Sequence, residues 1–142
     1  MTGDTPAWAV ELLRTARVGR LATASADGRP LAVPVCYAYD GDRIYSAVDA
    51  KPKRTRALRR LRNIAENPQV SLVVDEYDEE WTRLRYVIVE GRAEVLTGGP
   101  EFARGIDHLV AKYAQYRVLD LSRDAGSLIR IAPERLLHWR WR

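Results

Sequence analysis

The segment 30–39 constrains this chain more than any other. Leu31, Val33, Val35, Tyr37 and Tyr39 alternate there with Ala32, Pro34, Cys36 and Ala38. A period of two marks a strand, because successive side chains point to opposite faces. One face is bulky and the other small. Asp27-Gly28 before the segment and Asp40-Gly41 after it are turn dipeptides, with glycine supplying the positive φ that a tight hairpin needs. The flanking segments 20–24 and 43–48 therefore read as antiparallel partners. A chain organised this way builds short strands joined by hairpins, which close as a barrel or stack as a sandwich.

The remaining pattern adds three helices and further strands. Thr5 is expected to cap a first helix and Pro6 to open it, with Trp8, Leu12 and Ala16 on one face. Gly19 then opens the first strand. Residues 55–66 read as a second helix burying Leu58, Leu61 and Ala65, stopped by Asn67-Pro68. Strands are expected over 70–75 and 84–96, and Gly91 within the latter marks a bulge or a close backbone approach. Gly98-Gly99-Pro100 starts a third helix whose stripe is Phe102, Ile106, Leu109, Val110 and Tyr113. Strands over 127–132 and 136–141 follow, separated by Pro133. No repeat or long linker divides the sequence, so a single domain over 1–142 is expected, mostly β, with helices flanking the strands.

Composition narrows the function classes. With 46% hydrophobic and 30% charged residues the chain can bury a core without disulfides or metal. Cys36 is the sole cysteine, which excludes an intrachain disulfide. Its apolar neighbours point to a small buried core residue, not a nucleophile, in a reducing compartment. No stretch approaches the roughly 20 apolar residues of a membrane span, and residues 1–6 lack the pattern of a secretory signal. A cytoplasmic protein with no membrane partner is expected. His108 and His138 lie far apart without cysteine or glutamate at ligand spacing, so both read as structural and no metal is expected. Trp8, Trp81, Trp139 and Trp141 fit core, subunit interface or pocket. The alternation from His138 to Arg142 is explained by a strand with one aromatic and one charged face.

The net charge of +4 is built from 20 Arg and 3 Lys, which reflects composition as much as function. Its distribution says more. Seven basic residues, Lys51, Lys53, Arg54, Arg56, Arg59, Arg60 and Arg62, follow one another with no acidic residue between them. The run enters the first turns of the second helix. A helix N-terminus already presents free amide donors and the positive end of the dipole, so cations crowded there are explained by a bound anion. Lys53 and Arg54, with the hydroxyl of Thr55, suit a phosphate. Arg59, Arg60 and Arg62 read as the outer, solvated face of the helix or as a reach toward a longer acidic tail of a ligand. Nucleic acid could use the same charges, but it would show a steep salt dependence.

An ordered series of short motifs carries a resemblance. It runs Gly19-Arg20-Leu21-Ala22-Thr23, Asp27-Gly28-Arg29-Pro30, Val33-Pro34-Val35, Ile44-Tyr45-Ser46-Ala47, Lys51-Pro52-Lys53-Arg54-Thr55-Arg56-Ala57-Leu58 and Asn67-Pro68-Gln69-Val70-Ser71-Leu72. Ile131 to Leu136 and Trp139 fit the last strand. The series resembles the pyridoxamine 5′-phosphate oxidase-like split β-barrel family, nearest the branch that uses the deazaflavin coenzyme F420. The resemblance implies an FMN-binding-like split barrel, a homodimer with cofactors in clefts between the barrels, and an oxidoreductase that passes a hydride between F420 and a conjugated or planar small molecule. FMN is the alternative cofactor, and a non-catalytic cofactor- or tetrapyrrole-binding protein the alternative role. Carried over, it implies that Val33, Pro34 and Val35 lie near the ring, with Ala47, Val48 and Asp49 along its edge. Lys51, Lys53, Arg54 and Thr55 would hold the phosphate, and Trp81 would come from the partner subunit. The small face of 30–39 leaves room for a flat ring to approach the backbone; tight packing against a helix fits it equally. Trp139 and Trp141 stand where the family's pyridoxamine oxidases carry basic residues for their substrate's phosphate, which points away from a pyridoxal-type activity.

Overall fold

The computed structural model describes residues 4–48 and 55–141, with side chains in the second helix described from Arg59 on. The chain runs α1 (Ala7–Thr15), β1 (Gly19–Ala24), β2 (Pro30–Val35), β3 (Ala38–Tyr39), β4 (Ile44–Val48), α2 (Thr55–Glu66) and β5 (Gln69–Glu76). A 3-10 turn (Trp81–Arg83), β6 (Arg85–Leu96), α3 (Pro100–Lys112), α4 (Gln115–Val118) and β7 (Ser127–Arg140) complete it. Every ladder is antiparallel. The strands form one seven-stranded sheet in the order β2-β1-β5-β6-β7-β4-β3. Its two edges, β2 and β3, are successive pieces of chain, so the sheet curls until they meet at Cys36 and Tyr37. This is a β-barrel split between β2 and β3.

The segment 30–39 is thus two strands, not one. Its backbone is drawn off the ladder at Tyr37, whose N–H donates to the Tyr113 hydroxyl at 3.2 Å and whose own hydroxyl donates to the Leu13 carbonyl at 2.5 Å. The alternation itself holds across the break. Val35, Tyr37 and Tyr39 are buried, while Ala32, Pro34 and Cys36 face outward. Cys36 is therefore exposed, not a core residue, because the period of two places it with Pro34. Ala38 alone departs from the pattern, being buried under α3.

Inside the barrel, Leu21, Leu72, Val74, Val87, Val89, Ile129 and Ile131 pack with Leu12 and Leu13 of α1 and Ile64 of α2. A second cluster joins Phe102, Ile106 and Leu109 of α3 to Tyr45 and Leu128. Leu128 and Ile129 thus serve opposite faces of one strand. Burying side chains of this size contributes about 1.5–3 kcal/mol each, which makes the two clusters the main source of stability.

Three local expectations are corrected. Pro6, not Thr5, is the N-cap of α1, and its carbonyl accepts from Ala9 N at 3.0 Å. Proline is tolerated there since the N–H it lacks would have no helical partner. Pro133 does not divide two strands: β7 is continuous, and its ladder with β6 slips between Glu90 and Gly91, pairing Glu90 with Arg135 and Gly91 with Pro133. The bulge absorbs the missing donor. Gly91 makes it possible, since a Cβ there would lie 2.4 Å from the Ala132 carbonyl oxygen. Among the described side chains of α2 the buried ones are Asn63 and Ile64, with Leu61 half-buried and Ala65 exposed, and Leu58 lies outside the described side chains. The stripe is rotated because polar Asn63 turns inward to donate to the Thr23 hydroxyl at 3.0 Å. Among the described residues no helix is long and apolar enough to cross a membrane.

Candidate functional site

Two of the strand segments singled out by sequence meet at the barrel's split. The Ser46 hydroxyl donates to the Cys36 carbonyl at 2.8 Å, which ties β4 to the crossing that follows β2. Val33 is half-buried, Pro34 exposed and Val35 buried at the end of β2; Ala47 is half-buried and Val48 buried at the end of β4. Ala32, Pro34 and Cys36 offer an outward face with little side-chain bulk beyond the backbone. Asp49, Lys51, Lys53 and Arg54 lie outside the described residues. Thr55 is the first residue of α2, so the basic run does enter a helix at its N-terminus.

The crossing is clamped from behind by the end of α3. The Tyr113 hydroxyl donates to the Arg17 carbonyl at 2.8 Å, and the Lys112 ammonium donates to the Ala16 and Tyr37 carbonyls at 2.7 and 2.9 Å. That ammonium also lies 4.0 Å from the Tyr37 ring centroid. Burial pushes Lys112 down to about 8 and pushes the Tyr113 hydroxyl up. These groups are engaged with backbone, so they hold the strand crossing in place and are not free for chemistry.

Arg60, expected on the outer, solvated face of α2, is instead turned partly inward. It is half-buried, and its Nε is buried with no hydrogen-bond partner. Burial pushes its guanidinium below the usual value. An unpaired buried donor costs about 1–3 kcal/mol, a cost that a bound anion would remove. Its position follows from the helix. Glu66 accepts from Ala26 N at 3.1 Å and Asn63 holds Thr23, so α2 runs alongside β1. Arg60 lies one turn back from Asn63, about 4.5 Å along the helix axis. The spacing of three from Asn63 and four from Ile64 was the available signal, hidden because the inward face of α2 is partly polar.

Trp81 begins the 3-10 turn before β6 and is 56% exposed. Nothing in the single chain brings it to β2 or β4. His108 stacks on Tyr45 at 6.5 Å and His138 meets Trp8 edge-on at 5.7 Å. Among the described residues no group of His, Cys, Asp and Glu could hold a metal.

The fold is a split barrel with an exposed, sterically small strand face on β2, and α2 carries a half-buried guanidinium whose Nε has no partner. The chain belongs to the pyridoxamine 5′-phosphate oxidase family, whose model matches residues 6–140. It is 30% identical over 132 residues, spanning 92% of this chain and 79% of the other, to a 5a,11a-dehydrotetracycline/5a,11a-dehydrooxytetracycline reductase of Streptomyces rimosus. Its fold is similar to a crystal structure of an FAD-binding protein from Mesorhizobium loti, with TM-score 0.70 and 28% identity over 91% of this chain and 87% of that one. It is also similar to an F420 reductase, with TM-score 0.65 and 24% identity over 94% and 98% of the two chains; that likeness is one of fold.

Proposed function

We propose that this protein is an oxidoreductase that binds the deazaflavin coenzyme F420, its phosphate held at the start of α2 and its ring along the ends of β2 and β4. The carrying observation is Arg60, a half-buried cation whose buried Nε has no partner, one turn before Asn63 on α2. Lys51, Lys53, Arg54 and Thr55 would join it around the phosphate, giving charge-assisted hydrogen bonds. Val33, Pro34 and Val35, with Ala47, Val48 and Asp49, would offer backbone to the ring. When bound, the deazaflavin supplies hydride transfer. The chain's own residues bind and orient: the Ser46–Cys36 bond and the Lys112 and Tyr113 clamp keep the two strand ends in register. The reductase activity of the Streptomyces relative supports redox chemistry on a conjugated or planar small molecule.

Two parts of this reading go beyond a single chain. We propose a homodimer in which the exposed Trp81 covers the partner's ring. FMN is the alternative cofactor, favoured by the FAD-binding relative at 28% identity. Fluorescence titration of the purified protein with F420 and with FMN tests both. Saturable F420 binding that weakens at least ten-fold when Lys53 and Arg54 are both replaced by Ala supports the proposal. Tight FMN binding in its place selects the alternative, and binding of neither overturns the site.

A further inference from the structure

Two cations stand at the strand crossing with no counter-charge among the described residues. Lys112, in the last turn of α3, is half-buried, and its ammonium donates to the Ala16 and Tyr37 carbonyls. Arg17 follows α1. Its guanidinium carbon lies 4.6 Å from the Tyr113 ring centroid, and one of its nitrogens donates to the Lys112 carbonyl at 3.0 Å. The ion pairs of the described residues engage neither cation. The other titratable side chains around Lys112 are Tyr37, Tyr113 and Cys36. Burial pushes both tyrosines up, so neither supplies an anion.

Holding the crossing does not by itself require these charges. A neutral donor would satisfy the Ala16 and Tyr37 carbonyls, and a half-buried ammonium beside a guanidinium is costly. The C-terminal ends of α1 and α3 offset part of that cost, each equivalent to about half a negative charge. Against two full cations, about one positive charge is left over. It stands next to the small outward row of β2. Cys36 is exposed on the same face as Ala32 and Pro34, and its thiol lies close enough to act on both the Lys112 and the Tyr113 side chains.

We propose that Lys112 and Arg17 form a positive pole that stabilises negative charge on a flat ring bound against Ala32, Pro34 and Cys36. The proposal rests on the F420 reading of the site and adds to it a preference for an ionised, electron-rich ring. Both residues act through their charge: Lys112 is engaged with two carbonyls and transfers no proton. The pole is separate from the phosphate grip at the start of α2, which acts on the other end of the ligand.

Absorbance titration of the F420 ring hydroxyl, free and bound to the full-length protein, tests this at pH values below about 8, where Lys112 keeps its proton. The bound ring should ionise at a pH lower by at least about 0.5, which is a roughly three-fold preference for the anion. Arg17→Gln, at an exposed position, should return about half of that lowering. Lys112→Met should return most of it and Lys112→Arg should restore it, a rescue that a packing role would not give. The deazaflavin stripped of its phosphate and tail should show the same lowering. Saturable F420 binding without a lowered midpoint, a lowering indifferent to both Arg17→Gln and Lys112→Met, or one that disappears with the phosphate would overturn the proposal and leave the cofactor site standing. Absence of F420 binding overturns that site and the proposal with it. Thermal melting checks the fold of each variant, and the unmodified protein with Arg17→Gln decides the matter if Lys112→Met does not fold.

Discussion

Replacing Arg60 with Met separates a residue kept for binding from one kept for stability. The guanidinium is half-buried on the barrel side of α2, one turn before Asn63, and its Nε has no partner. Leaving a buried donor unpaired costs about 1–3 kcal/mol. Met is a good helix former that fills irregular gaps, so it relieves this cost without opening a large cavity. Part of the Arg60 side chain is still hydrated, so a net gain of about 1 kcal/mol is expected. In the presence of cofactor the sign reverses. Loss of a hydrogen bond from a charged group, about 1.5–3 kcal/mol, weakens phosphate binding by about ten- to a hundred-fold. Urea denaturation of the free protein measures the first effect, and fluorescence titration with F420 or FMN measures the second. A variant that is less stable and binds the cofactor as tightly as the parent would refute the reasoning, since Arg60 would then be a packing residue.

Other consequences follow from the barrel and its clamp. Gly91→Ala should lose about 2–4 kcal/mol in urea denaturation, because its Cβ would meet Ala132 O at 2.4 Å, Ala132 C at 3.0 Å and Pro133 Cα at 3.1 Å, all backbone. Gly98→Ala, with nothing within 4 Å, should be near neutral. Lys112 gives a dependence on pH. Its folded value is pushed from 10.5 to about 8, chiefly by burial, so in that interval the unfolded chain holds a proton the folded chain lacks, and stability rises with pH. Above about 10, where unfolded tyrosine ionises, the slope reverses, since burial holds Tyr37, Tyr45 and Tyr113 protonated in the fold. Denaturation midpoints should rise by at most about 1 kcal/mol in stability from pH 8 to 10, and Lys112→Met should abolish that rise. An unchanged slope in the variant would assign the dependence elsewhere.

Local periodicity made the barrel readable. The alternation of Val33, Val35, Tyr37 and Tyr39 survives the strand break because the direction of a side chain follows from backbone pleating and not from ladder pairing. What the alternation could not reveal is that β2 and β3 belong to opposite edges, since Tyr37 is held by Leu13 and Tyr113 from distant parts of the chain. Cys36 was misread for a related reason: apolar neighbours suggested burial, while its phase within the strand put it outside. The second helix shows the limit of apolar stripes, because Asn63 faces inward to satisfy Thr23 and carries Arg60 with it. Pro133 looked like a breaker only while Gly91, its partner across the bulge, was unknown as such.

The most direct test of the account compares F420 with the same deazaflavin stripped of its phosphate and tail, by fluorescence titration of the unmodified protein and of Arg60→Met. The account predicts that the unmodified protein binds F420 saturably and binds the phosphate-free chromophore at least ten-fold more weakly, and that Arg60→Met narrows this gap. Equal affinity for the two chromophores, or a gap indifferent to Arg60, would contradict a phosphate grip at the start of α2.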